Sequence, residues 1–590
     1  MVDLTVTPQT LPRYAASGML DASARRRAGP TLEMMPELCR SALWVAVRPL
    51  RIAWRGSWIY RQLLRGRMPD RIHHQPFDTL PRRLEDADSI LRGRFRFASE
   101  VTDIKHGSVF DIQPPSESWA AALHGFEWLP ALSAAGGEPA REYAGQLITE
   151  WLEHCSRYAE PAWLPEIIAR RLVQIFAHGR FVISNSDMLW RSRLFLSLRR
   201  QAAVLGRTAG EAAPGLPRLE AAACCLLSEA SLDSDPRRLA AALERLEHEL
   251  SLQILPDGGH ISRCPEELLW AYRQTVMALD ALSAMDTRIP AWLRGAHDRM
   301  APMLRFFRHG DGALALFNGG AEGDARMVAA LLARDETRGQ PFMHAPHSGY
   351  QRLAAGRSLA IIDCGAPPAG PYSTRAHAGC LAFEFSSGVN RIVVNCGAEK
   401  DASARWNGAL RATAAHSTVT VADTSTTPIL APGFARDLLG PRLIDSSEPP
   451  ETVRRETPYG WRVESRHAHY VPEFGVEHGR EITLSPRGTK LTGCDHLVPN
   501  GTRGCPAVPF AVRFHIHPDT RVTSSLSGDI LLKLPNGEGW RFRHGGSAQI
   551  EESVYVGQGS TRRSEQLVLG GVVKDQPVDI AWEFEQIGND

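Results

Sequence analysis

Near residue 340 the hydrophobic period of the chain changes from that of helices to that of strands, and this switch bounds what the chain can fold into. Before it, apolar residues recur at helical spacing over roughly 116–134, 138–158, 163–178, 186–204, 216–230, 236–253, 265–284 and 290–308. Leu268, Leu269, Tyr272, Val276, Leu279 and Leu282 make one such stripe, and Pro265 stands where a first helical turn tolerates it. Short connections rich in turn residues, AAGGEP and SLDSDP, predict antiparallel neighbours. After residue 345 the pattern becomes short alternating runs punctuated by Gly, Pro, Asn and Asp, which predicts an antiparallel β-sandwich. A chain of 590 residues is too long for one core. The expected division is a basic, aromatic helical segment over 1–90, a helical domain over 91–340 and a sandwich over 341–590.

The densest chemistry lies between residues 376 and 423, in AHAGCLAFEFSSGVNRIVVNCGA followed by ATAAHSTVTVAD. His377, Asn395 and His416 bracket three strand-like runs, Leu381–Phe385, Arg391–Asn395 and Ser417–Ala422. Two imidazoles and an amide oxygen at strand ends can converge on a divalent metal. The alternative is that both histidines hydrogen-bond backbone carbonyls.

This stretch resembles the C-terminal β-domain of the heparinase II/III-like polysaccharide lyases. GDGALALFNGG, HSGYQRLAAGR, LPDGGHISRCPEELL, LHGFEWL, FAVRFHIHP and GEGWRFR extend the likeness to the bacterial, non-secreted branch of that family, over about residues 90–585. The resemblance implies an α + β multidomain architecture: an incomplete N-terminal (α/α) toroid followed by a C-terminal antiparallel β-sandwich. It implies β-elimination on an acidic, uronic-acid-containing glycan at the junction of the two. It also makes His377, Asn395 and His416 the counterparts of the family's metal ligands, for zinc or calcium, with Asn395 in place of a carboxylate.

Elimination needs a group that neutralises the uronate, a base for the adjacent proton, and an acid for the leaving oxygen. The same alignment puts Glu267 where the family carries its catalytic tyrosine and Arg375 where it carries its catalytic histidine. The replacements available are His260 as base, Arg263 as a carboxylate clamp, Arg375 as a neutralising charge and Tyr372 as a phenol. His124 and Trp128, four apart, are expected to share a helix face and meet a sugar. Glu267 and His467 complete the expected substrate contacts. Arg513, His515 and His517 share a strand face that reads as the solvated side.

Three functions follow: an eliminative lyase, a glycan-binding or envelope-assembly protein without the Tyr–His pair, and a hydrolase or epimerase using Glu266 or Glu267. The lyase is the expectation taken forward.

Charge and composition narrow the partners. The net charge of +1 offers no global field for nucleic acid. Ten scattered cysteines without a CxxC suit buried thiols in a reducing compartment. No signal-peptide pattern opens the chain, so the expected location is the cytoplasm, with the cell envelope as the family's alternative. Oligomeric state is not legible. Residues 40–67 carry seven arginines and no acid, interleaved with Trp44, Trp54, Trp58 and Tyr60. Such a helix can lie on an anionic membrane, but the favoured reading packs its tryptophans on the helical domain.

Overall fold

The computed structural model describes residues 27–588, apart from 65, 78–83, 98–99, 185, 337, 400–403, 445–447, 501–506, 526–527 and 558–559. Residues 1–26 of the expected N-terminal segment, and Arg65, lie outside the described residues. Internal packing divides the chain into two compact units: Cys39–Gln253 with Trp270–Asp298, and Met1–Leu38 with Ile254–Leu269 and Arg299–Asp590.

The first unit is helical. Its long helices include Gly137–His154, Pro165–Ile183, Met188–Thr208, Leu216–Ser231 and Pro236–Gln253. Local chemistry sets their starts. The Ser116 hydroxyl accepts from the Trp119 amide at 3.2 Å, the Asp187 carboxylate from Trp190 at 2.8 Å, and proline occupies an opening position in Pro165–Ile183. The helix Pro165–Ile183 is buried almost all round, and its Arg171 is spent inside the unit. That guanidinium donates to Gln201 and to the carbonyls of His124 and Ala162, and lies over the Trp151 ring.

The N-terminal helix Met35–Gly56 and the short helix Trp58–Leu63 after it depart from the favoured reading. Trp44, Trp54 and Trp58 are 42%, 49% and 65% exposed, so the tryptophans are not packed away. Arginine pairing explains how the helix is held instead: Arg48 pairs with Glu160 and Arg55 with Glu211, which leaves the aromatic side facing out.

The second unit is built on two antiparallel sheets. One has eight strands in the order 451–457, 460–467, 476–484, 490–499, 578–586, 539–544, 530–533, 521–524. The other has nine, in the order 548–556, 561–573, 508–516, 390–394, 383–387, 358–363, 350–355, 344–345, with 419–421 pairing beside 508–516. Their inner faces share one core. Phe383 stacks on Trp582 at 5.4 Å between centroids, and Phe385 meets Trp540 edge-on at 5.2 Å. Buried aromatic pairs of this kind contribute about 0.5–1.5 kcal/mol beyond the area they remove from water. The helical part followed by antiparallel sheets is the toroid-plus-sandwich fold class expected from the sequence.

Candidate functional site

The segment Ile254–Leu269 packs within the sheet-bearing unit and brings the chemistry of the 255–269 motif to the strand ends. A turn, closed by the Leu255 amide on the Gly259 carbonyl at 2.8 Å, precedes the helix Pro265–Ala284. Asp257 anchors the turn by accepting from the His347 and Ser348 amides and the Ser348 hydroxyl.

Glu267, on the first turn of that helix, lies between Arg375 and His260. One carboxylate oxygen is 3.8 Å from Arg375 Nη1, and the other is 3.5 Å from His260 Nδ1. Arg375 also donates to the Gly319 carbonyl at 3.2 Å. Gly319 has φ +80°, and a Cβ there would stand 2.4 Å from the Arg375 carbonyl oxygen, so the close approach requires glycine. Glu267 and Arg375, the residues expected from the resemblance to replace the family's tyrosine and histidine, thus form an ion pair.

The proposed substitutes are placed as follows. His260 is fully buried; its Nδ1 is 2.7 Å from the Ser262 hydroxyl and accepts from the Ser262 amide, and burial pushes its pKa below the ordinary imidazole value. Arg263 is buried and committed. It pairs with Asp363 and donates to the carbonyls of Ser348, Gly365 and Ala366, which leaves no face of the guanidinium for a uronate. Its backbone is left-handed (φ 57°), held by Tyr350 Oη donating to its carbonyl at 2.7 Å. Tyr372 is half-buried in a short 3-10 turn, Gly370–Ser373. Glu266 accepts from the Ala321 amide at 3.1 Å.

Three expected substrate contacts meet different surroundings. The helix Glu117–His124 ends at His124, so Trp128 is not on its face. Trp128 is wholly buried against Phe126 and donates to the Leu123 carbonyl, so it has no face for a sugar. His124 is mostly buried, and burial beside Arg171 drives it down to about 4. His467 is buried, and its Nε2 donates to His478 Nδ1 at 3.1 Å because His478 Nε2 faces the Asp495 carboxylate at 2.8 Å. The strand face of Arg513 and His515 is not solvated either: His515 is 0% exposed, between Ser553 Oγ and the Ala414 carbonyl.

His377 and His416 do come together, with His377 Nδ1 3.0 Å from His416 Nε2. His416 Nδ1 donates to the Ala412 carbonyl at 2.8 Å, so its Nε2 is the acceptor and His377 Nδ1 carries the proton. Burial holds His416 at about 4, and burial with the charges of His416, Arg411 and Arg375 holds His377 well below the ordinary value. Asn395 does not complete a ligand set. Its oxygen accepts the Ser417 amide at 3.1 Å, and its nitrogen donates to the Leu316 carbonyl. Two neutral imidazoles bonded to each other, a committed amide and no carboxylate ligand fit a resident divalent ion poorly. Elsewhere among the described residues, Cys380 with His467 and His469, Cys494 with His496 and Asp579, and Asp70 with His73 and Asp233 form groups whose composition could hold a metal.

Glu384 went unread in the sequence. It is wholly buried and accepts from the Leu316 amide, the Asn395 amide and His309 Nε2. Its signal was available: a lone carboxylate in the otherwise apolar strand FEF.

Residues 337–583 match the family described as Heparinase II/III-like, C-terminal. FtsZ-localized protein C of Caulobacter vibrioides is 32% identical over 561 residues, 92% of this chain and 96% of that protein. The crystal structure of heparinase III superposes with a TM-score of 0.68 at 12% identity, over 90% of this chain and 89% of that one. A mutant heparan sulfate lyase HepC from Pedobacter heparinus superposes with a TM-score of 0.60 at 14% identity, over 97% and 93% of the two chains. These last two share the fold. The extended sequence identity and the matched domain place the chain in the family that its sandwich motifs indicated: it belongs to the heparinase II/III-like family.

Proposed function

We propose that the chain is an envelope-assembly member of the heparinase II/III-like family that recognises glycan without cleaving it by elimination. The observation that carries this reading is the Glu267–Arg375 ion pair, formed by the two residues that the family resemblance sets in place of the catalytic tyrosine and histidine. A carboxylate is about six pK units less basic than a phenolate, so it is a poor base for a carbon-bound proton. The other groups of the altered acid/base set give little help, since Arg263 is bonded throughout and His260 is enclosed. Arg375 remains about half exposed and could receive an acidic glycan by exchanging partners with Glu267.

The relative named as FtsZ-localized supports a place at the cytoplasmic side of the division site. No helix among the described residues is long and apolar enough to cross a membrane. The exposed tryptophans and arginines of 40–67 support peripheral contact with an anionic membrane instead. The lyase expectation makes the opposite prediction, so one assay separates them. Incubation with heparan sulfate, hyaluronan and polygalacturonate is expected to generate no ultraviolet-absorbing unsaturated uronate. A steady rise in that absorbance, abolished by Glu267→Ala, would restore the eliminative reading.

A further inference from the structure

A polar cavity, of about 280 Å³, lies within the sandwich unit beside the turn that joins strands 383–387 and 390–394. Two donors on its wall are buried without a hydrogen-bond acceptor: Asn390 Nδ2 and Arg391 Nη1. A buried unsatisfied donor costs about 1–3 kcal/mol, and two lining the same cavity point to acceptor atoms arriving from a ligand.

The rest of the wall restricts what that ligand can be. Arg391 is gripped by Asp311, at 2.8 Å from Nε, so its position is fixed while Nη1 stays 3.8 Å from Glu322 and Glu384. Tyr555 donates to Glu322, and Arg562 pairs with Asp519. His517 packs edge-on against the Tyr555 ring at 4.8 Å, and burial holds it near 4, so it adds no charge at neutral pH. Three carboxylates against two guanidiniums disfavour an anion. Donors on the floor, carboxylate lone pairs around them and an aromatic edge suit groups that donate and accept at once, which are vicinal hydroxyls. The volume lies near the lower bound of small-molecule sites, on the order of 300 Å³, enough for one sugar ring.

We propose that this cavity binds a single uncharged pyranose residue, with Asn390 and Arg391 donating to its hydroxyl oxygens and Asp311 and Glu322 accepting from its hydroxyl groups. It is separate from the Glu267–Arg375 site and does not depend on the reading given to that site.

Saturation-transfer NMR on the full chain tests it with glucose, N-acetylglucosamine and, as the anionic counterpart, glucuronate. Transfer to at least one neutral sugar is expected, and in Arg375→Ala, which removes the acidic-glycan site, it should exceed that to glucuronate. Asn390→Ala should weaken it about fivefold, the effect of losing one net hydrogen bond. Because Asn390 is buried and its variant could unfold, Arg562→Ala on the exposed rim is the second probe, and it too should reduce transfer while the thermal transition is kept. Glu267→Ala should leave the signal intact. No transfer to either neutral sugar, a preference for glucuronate that persists in Arg375→Ala, transfer unchanged in both cavity variants, or loss in Glu267→Ala would each overturn the proposal.

Discussion

With an amide, Asn395, where the family resemblance leads one to expect a carboxylate, His377 and His416 bond to each other. A metal ligand set needs lone pairs aimed at one point, and Asn395 has its oxygen occupied by the Ser417 amide while Glu384 sits behind it. Asn395→Asp would put a second buried carboxylate beside Glu384, a repulsion that a cation would relieve. The expected outcome is a variant less stable than the parent when apo and raised by zinc, with about one equivalent retained on elemental analysis. The parent should retain none at these residues. Zinc retained by the parent and lost on His377→Ala would contradict this account. The buried neutral histidines also set a pH dependence. His515 is held at about 3 and His124 at about 4 by burial, below the value of an unfolded histidine. The unfolded chain therefore binds more protons just below pH 6.5, and stability present above that pH is lost as pH falls towards the folded values. His515 alone accounts for something on the order of 5 kcal/mol over the full fall to its folded value. Urea midpoints should fall between about pH 6.5 and 4, with a shallower fall in His515→Gln. Such roles were not legible in the sequence. VRFHIHP displays alternation, but alternation cannot say that both faces are covered, and an Arg such as Arg263 looks the same whether it clamps a ligand or an aspartate 100 positions away.

Element by element, the period change announced helices and strands well because amphipathic stripes are local, whereas which surface a helix turns to its neighbours depends on distant partners. The helix Met35–Gly56, with the short helix Trp58–Leu63 that follows it, illustrates the difference. Its arginines are drawn in by Glu160 and Glu211, and Arg51 lies over the Trp44 ring, so apolar side chains that would ordinarily be covered are outward. Leu43, Leu50, Trp54, Trp58 and Ile59 join Trp44 on the exposed surface. Aromatic rings of this kind settle at the headgroup level of a bilayer, and the arginines left over add about 1 kcal/mol each near an anionic surface. The protein should cosediment with vesicles containing phosphatidylglycerol and not with purely zwitterionic ones. Replacement of Trp44, Trp54 and Trp58 by alanine should abolish this without lowering the thermal transition, since none of the three is buried. Sedimentation unaffected by the triple replacement would remove these two helices as the contact.

Over the whole molecule, the sandwich depends on residues that the period change assigns to the helical half. Arg263 neutralises Asp363, His309 and Arg391 face Glu384, Asp311 and Glu322 surround Arg391, and Asn318 bonds Tyr350 Oη at 2.9 Å. Hydrophobic period reports which residues are apolar and is silent about which buried charges must meet, so these dependences were invisible until the chain was folded. They make a boundary at residue 341 thermodynamically expensive. A fragment 341–590 would keep Asp363, Glu384 and Arg391 in its interior and discard the partners Arg263, His309, Asp311 and Glu322. Breaking one buried pair costs about 3–5 kcal/mol, and total stability is only about 5–15 kcal/mol. The isolated fragment should therefore show a collapsed amide NMR spectrum and no cooperative thermal transition. Extending it to 299–590 restores Asp311, Glu322 and His309 but still omits Arg263, so a weakened transition should return. Substituting Asp363→Asn in that longer fragment removes the remaining uncompensated charge and should raise its midpoint, although the same substitution lowers the stability of the full chain by stranding Arg263. A well-dispersed spectrum from 341–590 alone would show that the sandwich tolerates these charges without their partners.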